Sequence, residues 1–384
     1  MDFAFSDEQQ AIAETARRYA AERLAPHYAQ READARIEPE LIAEMGRLGF
    51  LGADLPADAG GHGLDGVTAG VIIEAIAYGD MNVAYLQLLA SLQGTILARH
   101  APAEVARAAV PEICAGGTVI ALGLTEPGGG SDAANLQLRA RREGNGYVLK
   151  GEKTSISLVT QADRIILFAR TGAPEERAGG VSAFLVPLDA EGVSRTAFDD
   201  VGSAAVGRGS VFFDDVRIPA DALIGEEGQG FRQVMNGFDY SRALIGLQVL
   251  APARASLDET WAYVTEREAF GKPIAAYQGV TQPLAEAETE LEAARLLCYK
   301  TLWLRDRDLP HTKEAAMCKW WAPKLAFDVI HRCLLTHGHY GYTTDLPHQQ
   351  RLRDVMGLQI GDGTAQIQKM IIAREKAGRI AVPY

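Results

Sequence analysis

Four short segments of this chain carry residue types and spacings suited to chemistry. The first is Gly123-Leu-Thr-Glu-Pro-Gly-Gly-Gly-Ser-Asp132, just after the apolar run Val119 to Leu122. Its consecutive glycines let the backbone approach a ligand closely, and Thr125 and Ser131 add hydroxyls to the amide donors that a turn exposes. A plain glycine turn between strands would look the same. The segment is neither GxGxxG nor a Walker loop, lacking the Gly-Lys-Ser/Thr ending and the strand-to-helix setting, so nicotinamide and ATP are disfavoured. The second is Gly151-Glu-Lys-Thr-Ser-Ile-Ser157, where Ser155 and Ser157 alternate about Ile156 and are predicted to share one strand face. The third is Arg267-Glu-Ala-Phe-Gly-Lys-Pro-Ile274 with Gln278, a turn between helices whose Arg could grip a phosphate or end a solvated helix. The fourth is Arg351-Leu-Arg-Asp-Val, then Ile360-Gly-Asp-Gly-Thr364. There Asp362, set between glycines, is either a functional carboxylate or a turn residue bonded to its own backbone. His337, His339 and His348 form a poor ligand set without a carboxylate partner, and no metal is expected.

These segments need elements to position them. From about Phe5 to Ala115 apolar residues recur at three and four, as in Ile12, Ala16, Tyr19, Ala20 and Leu24, which is helical spacing. Ser6 and Gln9 predict a capping box at the first helix. Pro56 and the glycines at 60, 61 and 63 predict a loop. Between about Gly117 and Gly225 the composition changes to β-branched runs, Arg164-Ile-Ile-Leu-Phe-Ala, Val181-Ser-Ala-Phe-Leu-Val-Pro and Ser210-Val-Phe-Phe, separated by turns. Helical spacing returns from about Gly230 through Arg242 to Tyr263, then over Gln278 to Leu304, Lys313 to Thr336 and Thr364 to Ala377. Strands grouped between helices argue for an α+β fold and against a doubly wound parallel sheet. The expected domains are 1–117, helical; 118–225, β; and 226–384, helical.

Composition removes other classes. The 384 residues are 47% hydrophobic and 23% charged, with a net charge of −12, so the chain is folded and nucleic acid is not an expected partner. Cys114, Cys298, Cys318 and Cys333 lie far apart with no Cys-x-x-Cys pair. No apolar run approaches the ~18 residues of a membrane span and the N-terminus has no leader pattern, so a cytoplasmic location away from membranes is expected.

Taken in order, the segments resemble the acyl-CoA dehydrogenase family of flavoproteins over essentially the whole chain. The resemblance rests on Pro56 with Gly60-Gly61-His62-Gly63-Leu64, Leu124-Thr-Glu-Pro through Gly130-Ser-Asp132, Gly151-x-Lys153, Phe213-Asp-Asp-Val-x-Ile-Pro219, Leu223-Ile-Gly225 and Gly228-x-Gly-Phe231. It continues through Asp239-x-x-Arg242, Arg267-x-x-Phe-Gly271, Gly338-x-x-Gly-Tyr342, Arg353-Asp354 and Asp362-Gly-Thr364. It implies a helical N-terminal domain, a β-barrel-like middle domain and a C-terminal four-helix bundle, assembled as a homotetramer. It also implies FAD, an acyl-CoA substrate and an electron-transfer flavoprotein as acceptor. By position, Leu122, Leu124, Thr125, Gly130 and Ser131 would line the flavin, with Ser131 toward the pyrophosphate or pantetheine. Ser155, Ile156 and Ser157 would stand at the ring face and N5. Arg267, Phe270, Gln278 and Gly338 would reach the FAD of a neighbouring subunit, while Thr364 and Gln366 would close over the adenylate. Asp239 and Arg242 would hold the CoA, Gly361 and Gly363 would flank the acyl carbons, and Asp362 would be the base that takes the α-proton.

The departures from the family pattern carry information about the acyl group. Most members have Tyr-Glu-Gly-Thr where this chain has Gly361-Asp362-Gly363-Thr364. The carboxylate is kept but is shorter by about 1.5 Å, and proton transfer needs contact near 3 Å, so the α-carbon must come closer to this loop. Ser155 stands for the family's Trp and Ser157 for its Thr, while Leu335 and His339 replace a Gln and a Gly of the cofactor-contact segment. Two aromatic-to-small changes widen the pocket around the α- and β-carbons, which is similar to cyclohexanecarboxyl-CoA dehydrogenases. Short or branched-chain acyl-CoA dehydrogenases, and acyl-CoA or nitroalkane oxidases on the same fold, are the alternatives.

Overall fold

The computed structural model describes residues 4–381. Helix α1 (Asp7–Tyr19) starts at the predicted capping box: the Ser6 hydroxyl accepts from the Gln9 amide, and the Gln9 side chain returns the bond to the Ser6 N–H. The N-terminal helices continue as α2 (Tyr28–Asp34), α3 (Pro39–Arg47), α4 (Gly66–Gly79), α5 (Met81–His100) and α6 (Ala103–Ala115). The α4 helix is apolar nearly all round and α5 over most of its length, so both are interior helices. Asp65 and Asp80 cap their N-termini through the Thr68, Asn82 and Val83 amides.

Eight strands follow: β1 (Ile120–Gly123), β2 (Arg139–Glu143), β3 (Gly146–Ile156), β4 (Arg164–Arg170), β5 (Val181–Pro187), β6 (Val193–Ala197), β7 (Gly209–Pro219) and β8 (Leu223–Ile224). They form one sheet in the order β6-β7-β3-β2-β4-β5-β8, with β1 parallel to β4. The rest is the long α7 (Gly230–Glu266), a hairpin of β9 (Glu268–Ala269) and β10 (Lys272–Pro273), then α8 (Gln278–Arg305), α9 (Thr312–Thr336), α10 (His348–Ile360) and α11 (Ala365–Ala377). Helix α7 is the bundle's axis, packed against α4, α5, α8 and α9. The α10 helix was not apparent from periodicity: His-Gln-Gln-Arg-Leu-Arg-Asp is polar, yet Gln350, Arg351 and Asp354 are buried. Among the described residues no helix is long and apolar enough to cross a membrane.

One core joins both helical regions, running from Ala16 and Ile72 through Leu244 and Leu257 to Ile330 and Val355. The sheet has its own, around Leu149, Ile165, Leu167 and Phe184. Asp354 staples the parts together. Its carboxylate accepts from the Tyr28 hydroxyl at 2.5 Å, Asn82 Nδ2 at 2.9 Å and the Ser203 amide at 2.5 Å, tying α10 to α2, α5 and the loop before β7. These bonds favour the charged form, but burial dominates and raises the Asp354 pKa.

Candidate active site

The glycine-rich loop leaves β1 at Gly123 and is held from below by a buried ion pair. Lys153 Nζ donates to Glu126 Oε1 at 2.7 Å and to the Leu124 carbonyl at 3.0 Å. Glu126 accepts in addition from the Gln137 and Leu138 amides at 2.6 and 2.8 Å. Lys153 has no exposed surface, and burial brings its pKa down to about 8 against the pull of Glu126. Arg170, also buried, donates to the carbonyls of Leu136 and Ala134 on the far side of the loop. The Thr154 amide bonds the Thr125 carbonyl at 2.9 Å, so Thr125 and Ser131 lie on a loop docked along the end of β3. Sequence matching picked out Glu126 and Lys153, and the structure gives them this anchoring role.

At that end of β3 the predicted strand alternation of Ser155 and Ser157 fails. The pairing with β7 shifts register between Lys153 and Ile156, Ser155 and Leu158 take left-handed backbone with φ of 58° and 60°, and the strand stops at Ile156. Ile156 and Leu158 are buried while Ser155 is exposed. The irregular end thus presents Ser155 outward beside the glycine loop, where strand geometry would have paired it with Ser157.

Asp362 sits in the turn between α10 and α11 with φ 54°, a conformation that Asp tolerates better than most residues. Gly363 follows at φ 95°, and a Cβ there would stand 2.5 Å from Gln368 Nε2. That amide donates to the Asp362 and Gly363 carbonyls at 3.1 and 3.2 Å, so α11 clamps the turn from behind. Lys319, buried on α9, donates to the Leu358 carbonyl at 2.5 Å and fixes the last turn of α10. Lys319, Arg242 and Arg208 are the cations whose charge acts on the Asp362 carboxyl; burial raises its pKa, and these cations offset that rise only in part. Asp239 binds Arg242 at 2.9 Å, and Asp200 binds Arg208 at 2.9 Å. Lys319, with its pKa brought down to about 8 by burial, has the Asp362 charge as its opposing partner. Tyr85 of α5 completes the wall, its hydroxyl accepting from Arg208 at 3.0 Å. Lys319, Arg208, Tyr85 and Gln368 were not identified from sequence, since each joins this turn from a distant element.

The remaining predicted cofactor residues divide into two places. Thr364 caps α11 by accepting from the Ile367 amide, with Gln366 exposed on the first turn. Arg267, Phe270 and Gln278 lie at the β9–β10 hairpin and the start of α8, all three exposed. Phe270 and Gly271 form its two-residue turn at φ 51° and 80°, and Phe270 is 96% exposed. Gly338 follows α9 in left-handed backbone with open space at its Cα. Among the described residues no hydrogen bond or ion pair joins this second group to the Thr125–Ser131 loop.

FAD, the cofactor that the resemblance implies, is tested by the loop itself. A Cβ on Gly128 would meet nothing within 4 Å, and on Gly129 or Gly130 nothing nearer than 3.7 Å. The glycine backbone is therefore an open cradle flanked by the Thr125 and Ser131 hydroxyls, a donor set that fits a dinucleotide.

Three family models cover the chain: "Acyl-CoA dehydrogenase, N-terminal domain" over residues 6–117, "middle domain" over 121–216 and "C-terminal domain" over 228–377. Benzylmalonyl-CoA dehydrogenase of Aromatoleum aromaticum is 35% identical across 98% of this chain and 99% of its own. The caffeyl-CoA reductase-Etf complex subunit CarC of Acetobacterium woodii is 32% identical across 96% and 98%. Butyryl-CoA dehydrogenase from Megasphaera elsdenii superposes with a TM-score of 0.95 at 30% identity, over 98% of this chain and all of that one. The chain belongs to the acyl-CoA dehydrogenase family, whose members are flavin-dependent oxidoreductases.

Proposed function

We propose that this protein desaturates the Cα–Cβ bond of an acyl-CoA thioester carrying a ring at those carbons, cyclohexanecarboxyl-CoA to cyclohex-1-ene-1-carboxyl-CoA, with Asp362 as the base. The observation that carries it is the environment of Asp362. A carboxylate whose pKa is raised by burial is a stronger base for a carbon acid. The charges of Lys319, Arg242 and Arg208 oppose that rise and favour the carboxylate form that must accept the proton. The Gln368 clamp holds the turn still, so the carboxylate need not reorganise as it takes the proton. Bound FAD supplies the acceptor for the β-hydrogen, a role no side chain can fill. Leu122, Leu124, Thr125, Gly130, Ser131, Ser155, Ile156 and Ser157 would hold it from one chain. Arg267, Phe270, Gln278, Gly338, Thr364 and Gln366 would complete the set from its partner in a homotetramer. Ser131, Asp239 and Arg242 would take the CoA side, with Gly361 and Gly363 beside the acyl carbons. An electron-transfer flavoprotein is the proposed acceptor, a reading supported by the Etf complex in the name of the Acetobacterium relative.

The ring is supported by open space at Gly361 and by the small, exposed side chain of Ser155. A Cβ on Gly361 would have the Gly357 carbonyl as its nearest neighbour, at 3.7 Å, and Gly361 has φ −57°, which any residue adopts. Ser155 is exposed. Anaerobic titration of the FAD-loaded enzyme with cyclohexanecarboxyl-CoA and butyryl-CoA tests this, alongside Gly361→Tyr. The parent should favour the ring, and the variant should lose roughly tenfold to a hundredfold on it through overpacking of about 1–3 kcal/mol. Equal losses on both thioesters, or a parent that prefers butyryl-CoA, would remove the cyclic substrate and leave the family reaction.

A further inference from the structure

A cavity of about 350 Å³ lies between the C-terminal end of α5, the start of α7 and the loop that joins α8 to α9. That volume is within the range of small-ligand pockets. It shares Asp239 with the proposed active site. Asp239 lines the cavity and accepts from Thr312, which also lines it, at 2.6 Å, and from Arg242 at 2.9 Å. The Arg242 charge in turn acts on the Asp362 carboxyl. Asp239, Asn236 and Gln233 carry the cavity wall along successive turns of α7, leading away from Arg242.

The walls favour an anion. Arg99 and His100 end α5 and line the cavity, and Arg232 stands in the first turn of α7, next to the lining Gln233. Burial and the charges of both arginines hold the His100 pKa below its usual value, so the three groups are close. Among the described residues no ion pair joins any of them to a carboxylate. A helix C-terminus suits Arg99 and His100, but a helix N-terminus repels a cation, and α7 has neither an acidic residue in its first turn nor a side-chain cap. Across the cavity Arg305 is matched by Asp306 at 3.0 Å, and Asp308 is exposed. Gln233, only 5% exposed, donates through Nε2 to the Ile224 carbonyl at 3.1 Å and leaves Oε1 without a partner. We propose that this cavity takes the phosphorylated nucleotide end of CoA, with Arg99, His100 and Arg232 around a phosphate and Gln233 Oε1 accepting from the amino group of the base. The enzyme then selects CoA over shorter thiol carriers, because only CoA brings the anion that these cations lack. This deepens the acyl-CoA reading and rests on it, but does not depend on the ring.

The test uses the FAD-loaded enzyme and whichever acyl group the parent oxidises, cyclohexanecarboxyl or butyryl. It measures kcat/KM for the thioesters of CoA, dephospho-CoA and 4′-phosphopantetheine in the parent, Arg99→Gln and Arg232→Gln. Both arginines are exposed, so the variants should fold. In the parent the CoA thioester should exceed the phosphopantetheine thioester by about tenfold or more, as expected for hydrogen bonds to a charged group. Dephospho-CoA tells which phosphate is read: a loss with it assigns the 3′-phosphate, and no loss until the nucleotide is removed assigns the pyrophosphate. Each substitution should shrink the CoA-to-phosphopantetheine ratio by about threefold or more, through KM rather than kcat. Equal kcat/KM for CoA and phosphopantetheine thioesters in the parent, or a ratio that neither substitution changes, overturns the site. Failure of every thioester to reduce the flavin would instead overturn the acyl-CoA reading, and the site with it.

Discussion

The Glu126–Lys153 pair permits a quantitative test of how the glycine loop is held. In Lys153→Met the Glu126 carboxylate keeps the Gln137 and Leu138 amides at 2.6 and 2.8 Å but loses its cation. The Leu124 carbonyl also loses its donor. Removing one partner of a buried pair costs about 3–5 kcal/mol, whereas replacing both by uncharged groups is often close to neutral. Glu126→Gln removes the carboxylate that opposes burial at Lys153, whose pKa is already down at about 8, so the lysine gives up its proton more readily still. The double variant Lys153→Met with Glu126→Gln should therefore recover most of the loss, giving a coupling of about 2 kcal/mol or more in a double-mutant cycle. Urea unfolding of the four proteins supplies the cycle, and equilibrium dialysis of FAD reports on the loop. FAD affinity should follow the same order, with both single variants weaker than the double. Additive effects, with coupling below about 0.5 kcal/mol, would refute the claim that this pair anchors the loop.

Two further outcomes follow from the bundle. His348 is fully buried with both ring nitrogens unpartnered, and burial brings its pKa down from 6.5 to about 4. Between those values the folded form binds fewer protons than the unfolded chain, so stability should fall by up to about 3 kcal/mol on acidification. Asp80, raised by burial to about 7, acts in the opposite sense, since its protonation relieves a buried charge. On going from pH 7 to 4.5, His348→Gln should therefore lose less stability than the parent, or gain more, as read from urea midpoints; an equal change would contradict the assignment. Phe270, bare at the hairpin tip, should be covered in the assembled protein. Phe270→Asp should weaken both FAD retention and the proposed tetramer in sedimentation velocity, and a tetramer holding full FAD would remove the cross-subunit role.

What was legible in the sequence was mostly local. The Ser6–Gln9 capping box and the run Arg164–Ala169 depend on neighbours a few residues apart, and both appear as predicted. Asp362 could be singled out because the glycines around it are themselves a signal of turn geometry. Its surroundings could not be read: Lys319, Arg208 and Tyr85 reach the turn from three separate elements, and nothing in their own segments marks them. Alternation misplaced Ser155 because it assumes an unbroken strand, while the chain there shifts register and turns left-handed. Helix α10 escaped for a related reason. Its buried face is polar, with Arg351 paired to Glu259 at 2.7 and 2.8 Å and Asp354 bonded to three partners, so hydrophobic periodicity had nothing to report.

In the proposed reaction Asp362 takes the α-proton. Asn is close to isosteric with Asp and tolerates the same left-handed backbone, so Asp362→Asn should preserve the turn, FAD binding and thioester binding. Mixing the FAD-loaded variant anaerobically with cyclohexanecarboxyl-CoA, and separately with butyryl-CoA, and following flavin absorbance in a stopped-flow instrument measures the reductive step directly. Loss of a general base predicts slowing by roughly a hundredfold to ten-thousandfold on whichever thioester the parent oxidises. A rate within about threefold of the parent, less than ~1 kcal/mol in the barrier, would contradict the assignment and move the base elsewhere.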